Sequence, residues 1–380
     1  MDANTPRDHS RLVDGLTEPR IDRTKRHSLE AILVIALLAV ICGADGWTQV
    51  ALFGRSKRKW LETFLDLPHG IPSHDTFGRV FSMLDPDELE RCIVRWTAHL
   101  AKITQGQLIA IDGKTLCRSF DRASKKAAIH MVSAWSSANQ LALGQLATDA
   151  KSNEITAIPK LLKLLDLTGA VVTIDAMGCQ KKIAGQIIEQ GGDYVLQVKD
   201  NHKTLHEDVK LLFDEAIAHQ FDDMAYAHHE TIEKDHGRIE TREIWSTWDI
   251  DYFKRHHDWP GLRSVVCVES TREMVGTGER TTQRRYFISS RDGRDAPRML
   301  EIVRGHWGIE NQLHWRLDMI FREDDCRIRQ GHAAENFSRL RRLSQAMLQA
   351  EKTLKAGLQT KRLRCGWDHD YLLSVLNRKI

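Results

Sequence analysis

The chain has 380 residues, of which 42% are hydrophobic and 28% charged, and 55 Lys and Arg against 52 Asp and Glu give a formal net charge of +3. That length holds two or three domains with proper cores. The charge balance excludes a polycation, so any nucleic-acid contact has to come from local basic segments. Seven scattered cysteines (Cys42, Cys92, Cys117, Cys179, Cys267, Cys326, Cys365) include no CxxC pair, which argues for a reducing compartment and against a structural zinc site.

Residues 1–27 carry charge without apolar period and are expected to form a flexible arm. The long apolar run Ala31–Cys42 has twelve residues, too few to span a bilayer and suited to a buried helix. Arg23, Lys25 and Arg26 before it and Gly43-Ala44 after it imitate a signal peptide, but about thirty mixed-charge residues make a poor leader. A soluble, cytoplasmic protein without membrane contact is expected. Ser28 is placed to cap a helix over Leu29–Cys42. Further helices are predicted at about Trp47–Leu65, from Ser73, and from Pro86 to about Ile103. The second carries the basic cluster Arg55, Lys57, Arg58 and Lys59 beside Trp60. Residues 28–104 therefore read as a helical domain, and the cluster tilts it toward a DNA-binding, helix-turn-helix-like module rather than a supporting bundle.

From Gln107 the texture changes to strands. Leu108–Ile111 is a buried strand that ends in Asp112 and Gly113. A meander over His130–Ser136 and Gln140–Thr148 and a helix over Glu154–Leu167 follow. Val171–Ile174 is a second apolar strand ending in an acid, Asp175, with Gly178 close behind. A helix over Lys181–Gln190 stops at Gly191-Gly192 and leads to the strand Tyr194–Val198. This alternation predicts an α/β fold, a mixed sheet with helices packed on it. One strand-terminating Asp commonly caps a turn. Two strands that each deliver a carboxylate point to a shared site, because such sheets bind ligands beyond their strand ends.

Residues 201–296 open with a helix over His202–His219. They continue as alternating segments at Ala225–Glu233, Arg238–Trp248, Arg263–Ser270 and Arg284–Ser290, a β-rich insertion. Its His228, His229, Arg238, Arg242, Trp245 and Trp248 suit a nucleic-acid track, and sheet core explains the tryptophans equally simply. A long helix is then predicted from Arg298 to about Phe321, with Ile309, Leu313, Leu317 and Ile320 as its apolar stripe. Glu310 borders that stripe, with His306 and His314 at i−4 and i+4. Two readings of Glu310 compete. It belongs either to a metal site with His306 and His314, or to an all-oxygen site with Asp112 and Asp175 suited to Mg²⁺ or Mn²⁺. The absence of an HExxH spacing favours the second, with Asp318 as reserve for the third acid. Between Arg327 and Arg364, the basic residues Arg327, Arg329, Arg339, Arg341, Arg342, Lys352, Lys355, Lys361, Arg362 and Arg364 stand against only Glu335 and Glu351. Such basic C-terminal helices are expected to be drawn to phosphate backbone, the alternative being a solvated amphipathic helix.

With these acids placed, the chain resembles the DDE-type transposases of bacterial insertion sequences, in the branch that includes the H-repeat-associated proteins. The likeness rests on Ala110-Ile-Asp-Gly-Lys114, Thr173-Ile-Asp-Ala-Met-Gly-Cys-Gln180, Gly192-Asp-Tyr-Val-Leu-Gln-Val-Lys-Asp-Asn201, and His306-Trp-Gly-Ile-Glu-Asn311 followed by Leu313-His-Trp315. It runs from about residue 8 to the C-terminus, and the four blocks in order are specific where each alone is modest. The resemblance implies a ribonuclease-H-like catalytic core, begun by residues 105–200, interrupted by the insertion, and resumed with the basic helices over 297–380. It places Asp112 on the first strand, Asp175 on the fourth and Glu310 on a later helix, as catalytic ligands of two Mg²⁺ or Mn²⁺ ions. It further implies an endonuclease that cleaves phosphodiesters and transfers strands at the ends of its own element and at target DNA, as a homodimer. Related proteins place Tyr, Arg and Lys where this chain has Val303, His306 and Leu317, so those roles do not transfer. Lys114, Arg304, His306, Asn311 and Arg316 become the local candidates for phosphate contacts, beside Arg55, Lys57, Arg58 and Lys59. Two other functions stand beside this one: a ribonuclease-H-like nuclease without strand transfer, and a transposase-derived DNA-binding protein whose catalysis has lapsed. The three intact acids weigh against the last.

Overall fold

The computed structural model describes residues 13–97, 106–120, 127–148, 154–235 and 237–377. In chain order its elements begin with α1 (Leu29–Ile41), α2 (Trp47–Ser56), α3 (Arg58–Leu61), α4 (His74–Met83), α5 (Pro86–Thr97), β1 (Leu108–Thr115), β2 (His130–Ser136) and β3 (Leu141–Ala147). There follow α6 (Glu154–Leu162), β4 (Val171–Ile174), α7 (Lys181–Glu189), β5 (Asp193–Val198), α8 (Lys203–Ala218), β6 (Tyr226–Asp235), β7 (Arg238–Thr247), α9 (Asp251–His257), β8 (Ser264–Met274) and β9 (Arg280–Ser289). The chain closes with α10 (Ala296–His306), a π-helical turn (Ile309–His314), α11 (Trp315–Met319), α12 (Ala333–Ala350), α13 (Leu358–Trp367) and α14 (His369–Asn377). These elements form two compact units. One comprises Met1–Lys102, Gly113–Asn153 and Glu310–Ile380; the other comprises Ile103–Asp112 and Glu154–Ile309.

The first unit is built around α1. Every residue from Ala31 to Ile41 is buried, as a helix apolar on all sides requires. Ser28 caps it as expected, its Oγ accepting from the Ala31 N–H at 3.1 Å. At the other end Arg362, on α13, donates to the carbonyls of Val40 and Ile41, which have no partner inside the helix. The helix expected over Trp47–Leu65 divides into α2 and α3. α5 is described to Thr97, and the remainder of its expected span lies outside the described residues, as do residues 1–12 of the expected arm. From residue 13 the arm is not loose. Thr17 donates to Glu88 through its N–H at 2.8 Å and its hydroxyl at 3.0 Å, and Cys92 donates its thiol to the Asp14 carbonyl at 3.1 Å.

The basic C-terminal segment departs most from expectation. Arg339, Arg341, Arg342, Lys361 and Arg362 are buried and bind the protein itself rather than facing solvent. Glu90 of α5, fully buried, accepts from Arg342 Nη2 at 2.6 and 2.8 Å, from Arg339 Nε at 3.2 Å, and from the Gln145 N–H of β3 at 2.8 Å. Arg341 lies over the Phe337 ring at 4.4 Å. Lys361 donates to the Leu348 carbonyl at 3.1 Å and to that of Glu351. Buried cations are costly unless acceptors meet them, and Glu90, which meets Arg339 and Arg342, comes from an element far from α12 in sequence. Arg327, Lys352, Lys355 and Arg364 stay exposed.

In the second unit the strands run in the order β1-β4-β5-β9-β8-β7-β6. β1, β4 and β5 pair in parallel, and β9 then turns the sheet antiparallel against β5. The expected β-rich insertion is therefore a continuation of this sheet, through the meander β9-β8-β7-β6. Its basic residues are interleaved with acids rather than lining a track. Arg242 pairs with Glu233 and Glu240, Arg238 with Glu240, and His228 with Glu243. α10 lies on one sheet face, where Ala296, Met299, Leu300, Ile302 and Val303 pack with Leu108, Val171, Val195, Ile244, Val266 and Phe287. Among the described residues no helix is long and apolar enough to cross a membrane. All seven cysteines are free.

The Glu90 cluster yields a stability prediction. Glu90→Ala strands two buried guanidinium groups, so unfolding in denaturant should show a loss of about 3–5 kcal/mol. A loss below about 1 kcal/mol would mean that the arginines find other partners.

Candidate active site

β1 and β4 pair with Ile111 opposite Ile174. Asp112 and Asp175 are each the next residue, at equal positions on neighbouring parallel strands, which lie about 4.8 Å apart in such sheets. Both are half-buried. Asp175 closes β4 with extended backbone, and its Oδ1 accepts from the Met177 N–H at 3.1 Å and the Gly178 N–H at 3.4 Å. This turn has no room for a side chain at Gly178, where a Cβ would stand 2.2 Å from Ile174 Cγ2 and 2.9 Å from Ile158 Cδ1. Asn201 Nδ2 donates to the Ala176 carbonyl at 2.6 Å, and His202 Nε2 meets the Cys179 carbonyl at 2.5 Å. The segment after β5 thus pins the turn that presents Asp175. Burial raises the Asp175 pKa, Glu154 adds to the rise, and the two N–H donors and Lys199 oppose it.

Side chains alternate along β4, so Asp175 shares a face with Thr173. Thr173 Oγ1 is 3.0 Å from His306 Nδ1 on α10, and both line a small cleft with Asp175, Gln197, Arg285 and Trp307. Burial lowers the His306 pKa to about 4, against the weaker support of Thr173, so the imidazole is neutral at neutral pH. α10 reaches this position because Gly305 lets it approach β1. A Cβ there would sit 2.3 Å from Leu108 Cδ2.

The long helix expected over Arg298–Phe321 is broken into α10, the π-helical turn and α11. The wide turn buries Ile309 and Leu313 while Glu310 and Asn311 are exposed, a feature often met at functional sites. Glu310 and the buried His314 offer ligand atoms within 4.8 Å of one another. His306 joins no such group among the described residues, so the mononuclear reading through His306, Glu310 and His314 loses one of its ligands. Asp175 likewise belongs to no group of three ligand atoms that close among the described residues. Trp307 and Trp315 are half-exposed rather than packed around the acid.

The other candidates divide by whether their charge is already met. Lys114, expected at a phosphate, is instead bound by Asp318 at 2.6 Å, Asp324 at 2.9 Å and Glu323 at 3.5 Å. Burial works against its charge, but these three carboxylates outweigh it and raise the ammonium pKa. Asp318, the reserve acid, is thereby engaged. Arg304 pairs with Glu233 at 2.8 Å, and Arg316 donates to Gln349 Oε1 at 3.0 Å. In the N-terminal cluster Lys57 donates to the Gly366 carbonyl at 2.9 Å and Arg58 to Glu62 at 2.7 Å, while Arg55 and Lys59 are exposed. Sequence reasoning missed Arg285, which carries no helical or motif signal, and Gly305, whose only signal is a glycine inside a helix.

The family described as "Transposase DDE domain" matches residues 103–345, and one described as "DDE_Tnp_1-associated" matches residues 11–97. The "H repeat-associated putative transposase YhhI" of Escherichia coli (strain K12) is 40% identical over 354 residues, which are 92% of this chain and 92% of that protein. The "Putative transposase YncI" of Escherichia coli O157:H7 is 40% identical over 92% of this chain and 90% of its own. An uncharacterized protein encoded in the dhlA 3′ region of Xanthobacter autotrophicus is 50% identical over 71% of this chain and 90% of its own. The mixed sheet flanked by helices is consistent with the ribonuclease-H-like fold of such transposases. The chain belongs to the transposase family defined by the DDE domain.

Proposed function

We propose that this transposase cleaves phosphodiester bonds at the ends of its own element and joins the freed 3′-hydroxyl to target DNA, using carboxylates of Asp112, Asp175 and Glu310. The observation that carries the reading is the equal register of Asp112 and Asp175 on adjacent parallel strands. α10 supports the third assignment. His306 is tied to Thr173, two residues before Asp175, and Glu310 follows His306 by four residues.

The donor chemistry fits hard divalent cations, Mg²⁺ or Mn²⁺, which the carboxylates of Asp112, Asp175 and Glu310 would hold. When bound, a pair of such ions supplies activation of the attacking oxygen and charge stabilisation at the leaving one. The side chains do the rest. Asp175 keeps Oδ1 turned toward two N–H groups, which fixes its carboxylate plane. Neutral His306 holds α10 on β4 without adding charge. Arg55 and Lys59, exposed on the N-terminal helices, are assigned to the DNA backbone, and the active complex is taken to be a homodimer working in the cytoplasm. A nuclease without strand transfer would share every one of these features; the joined product separates the two.

Cleavage of end-labelled terminal DNA with Mg²⁺ and with Mn²⁺, beside a gel-shift measurement, tests the assignment. Asp112→Asn should lower cleavage and strand transfer together by on the order of 100-fold or more, with DNA binding kept or tightened. Asp175→Asn and Glu310→Gln should behave alike, and His306→Ala should lose less. Near-normal cleavage by Asp112→Asn refutes the reading. Replacing Arg55 and Lys59 with Ala should weaken binding and flatten its salt dependence. An unchanged slope would show that these side chains face away from DNA.

His306 also predicts a pH dependence of stability. Its folded pKa, about 4, lies below the ordinary value of 6.5. Between those values the unfolded chain binds the proton and the folded chain does not, so stability rises with pH across that window. The contribution is complete above pH 6.5 and is lost as pH falls toward 4. His306→Asn should flatten this acid limb by about 2–3 kcal/mol in denaturant titrations at pH 7.5 and pH 4.5. Parallel pH profiles for the two proteins would show that the imidazole titrates as if in water.

A further inference from the structure

Most arginines of the sheet-bearing unit that touch the region of β6–β9 have acidic partners. Arg284 pairs with Glu269 and Asp214, Arg304 and Arg242 with Glu233, and Arg272 with Glu240. Arg285 differs. It lies on β9, lines the cleft beside Asp175, and its guanidinium carbon stands 5.1 Å from the ring centre of Trp307. Its Nη2 donates to Gln283 Oε1 at 3.0 Å, a neutral acceptor, and among the described residues it forms no ion pair. Burial lowers its pKa with no carboxylate to offset the effect. A partly desolvated guanidinium without a counter-ion is unfavourable by itself, and a planar fork held against an indole is pre-organised for a bidentate oxyanion.

We propose that Arg285, positioned by Trp307, binds a backbone phosphate of the DNA strand that lies at Asp175. This rests on the reading that Asp175 works on DNA, and it assigns the arginine that lines that cleft to the substrate rather than to the fold. Guanidinium suits the role better than ammonium. Its two parallel N–H groups fix the rotation of the phosphate as well as its distance. The half-exposed indole face holds the fork in place through cation–π contact without neutralising it.

The test uses the full chain and a duplex carrying the element's terminus, with thermal midpoints as a folding control. Arg285→Ala and Arg285→Gln should each bind about tenfold more weakly. The slope of log affinity against log salt should fall by about 0.9, the value of one phosphate contact. Arg285→Lys should restore the slope and only part of the affinity, and Trp307→Ala should weaken binding with the slope retained. Methylphosphonates placed one at a time near the cleavage point should include one that weakens the wild-type complex and leaves Arg285→Gln unaffected. Wild-type binding and salt slope in both Arg285 variants, or equal penalties from every methylphosphonate, would overturn the assignment while leaving the transposase reading in place. A wild-type chain that neither binds nor cuts this duplex would overturn both.

Discussion

The parallel register of β1 against β4 is the constraint on which the site depends. A shift of one residue would turn one of the two aspartates to the opposite face of the sheet, because side chains alternate with a period of two. The register is held from several sides. The Val171 N–H donates to the Gln107 carbonyl at 2.8 Å, and the Gly106 N–H to the Gly169 carbonyl at 2.6 Å. Arg298, in the first turn of α10, donates to the Gly106 carbonyl at 2.5 Å, while His306 in its last turn meets Thr173. One helix is thus fastened at both ends to the two strands that carry the acids, and Glu310 follows directly from it.

Charge in this protein is informative only together with burial. The C-terminal segment has the composition of a DNA-binding tail, yet its central arginines are among the most buried residues of the chain. Glu90 alone collects two guanidinium groups and a backbone N–H, joining α5, α12 and β3. Such a cluster contributes little net stability against an apolar equivalent, but it tolerates one arrangement of its partners. Arg362 closing the end of α1 follows the same logic, a cation placed at the carbonyls that end a helix. The charges of this segment left exposed are fewer: Arg327, Lys352, Lys355 and Arg364.

Local periodicity carried most of the fold. The four apolar residues of β1 and of β4, the Ser28 and Ser73 caps and the Gly191 stop are all short-range signals, and each element stands where they put it. What sequence left open depends on contacts between distant segments. Nothing in the alternation of β6–β9 says whether they close on themselves or extend a sheet; the pairing of β9 with β5 decides it. Nor does helical spacing reveal that Arg298–Phe321 will widen into a π-helical turn at Glu310. Lys114 reads as a free cation beside an acid until Asp318, Glu323 and Asp324, some two hundred residues on, are seen around it.

Val303, His306 and Leu317, where the resemblance implied Tyr, Arg and Lys, share a common physical setting. Val303 and Leu317 are buried apolar residues, one in the core between α10 and the sheet and one in the stripe of α11. His306 is polar but uncharged, committed to Thr173 and drawn well below its ordinary pKa by burial. This stretch of α10 and α11 has therefore given its side chains to holding the helix in place. Outside the helix, Lys199 after β5 acts on Asp175, and the arginine that lines this cleft is carried by β9. In this cleft the contact that fixes the helix and the arginine beside it come from different elements, one from a helix and the other from a strand.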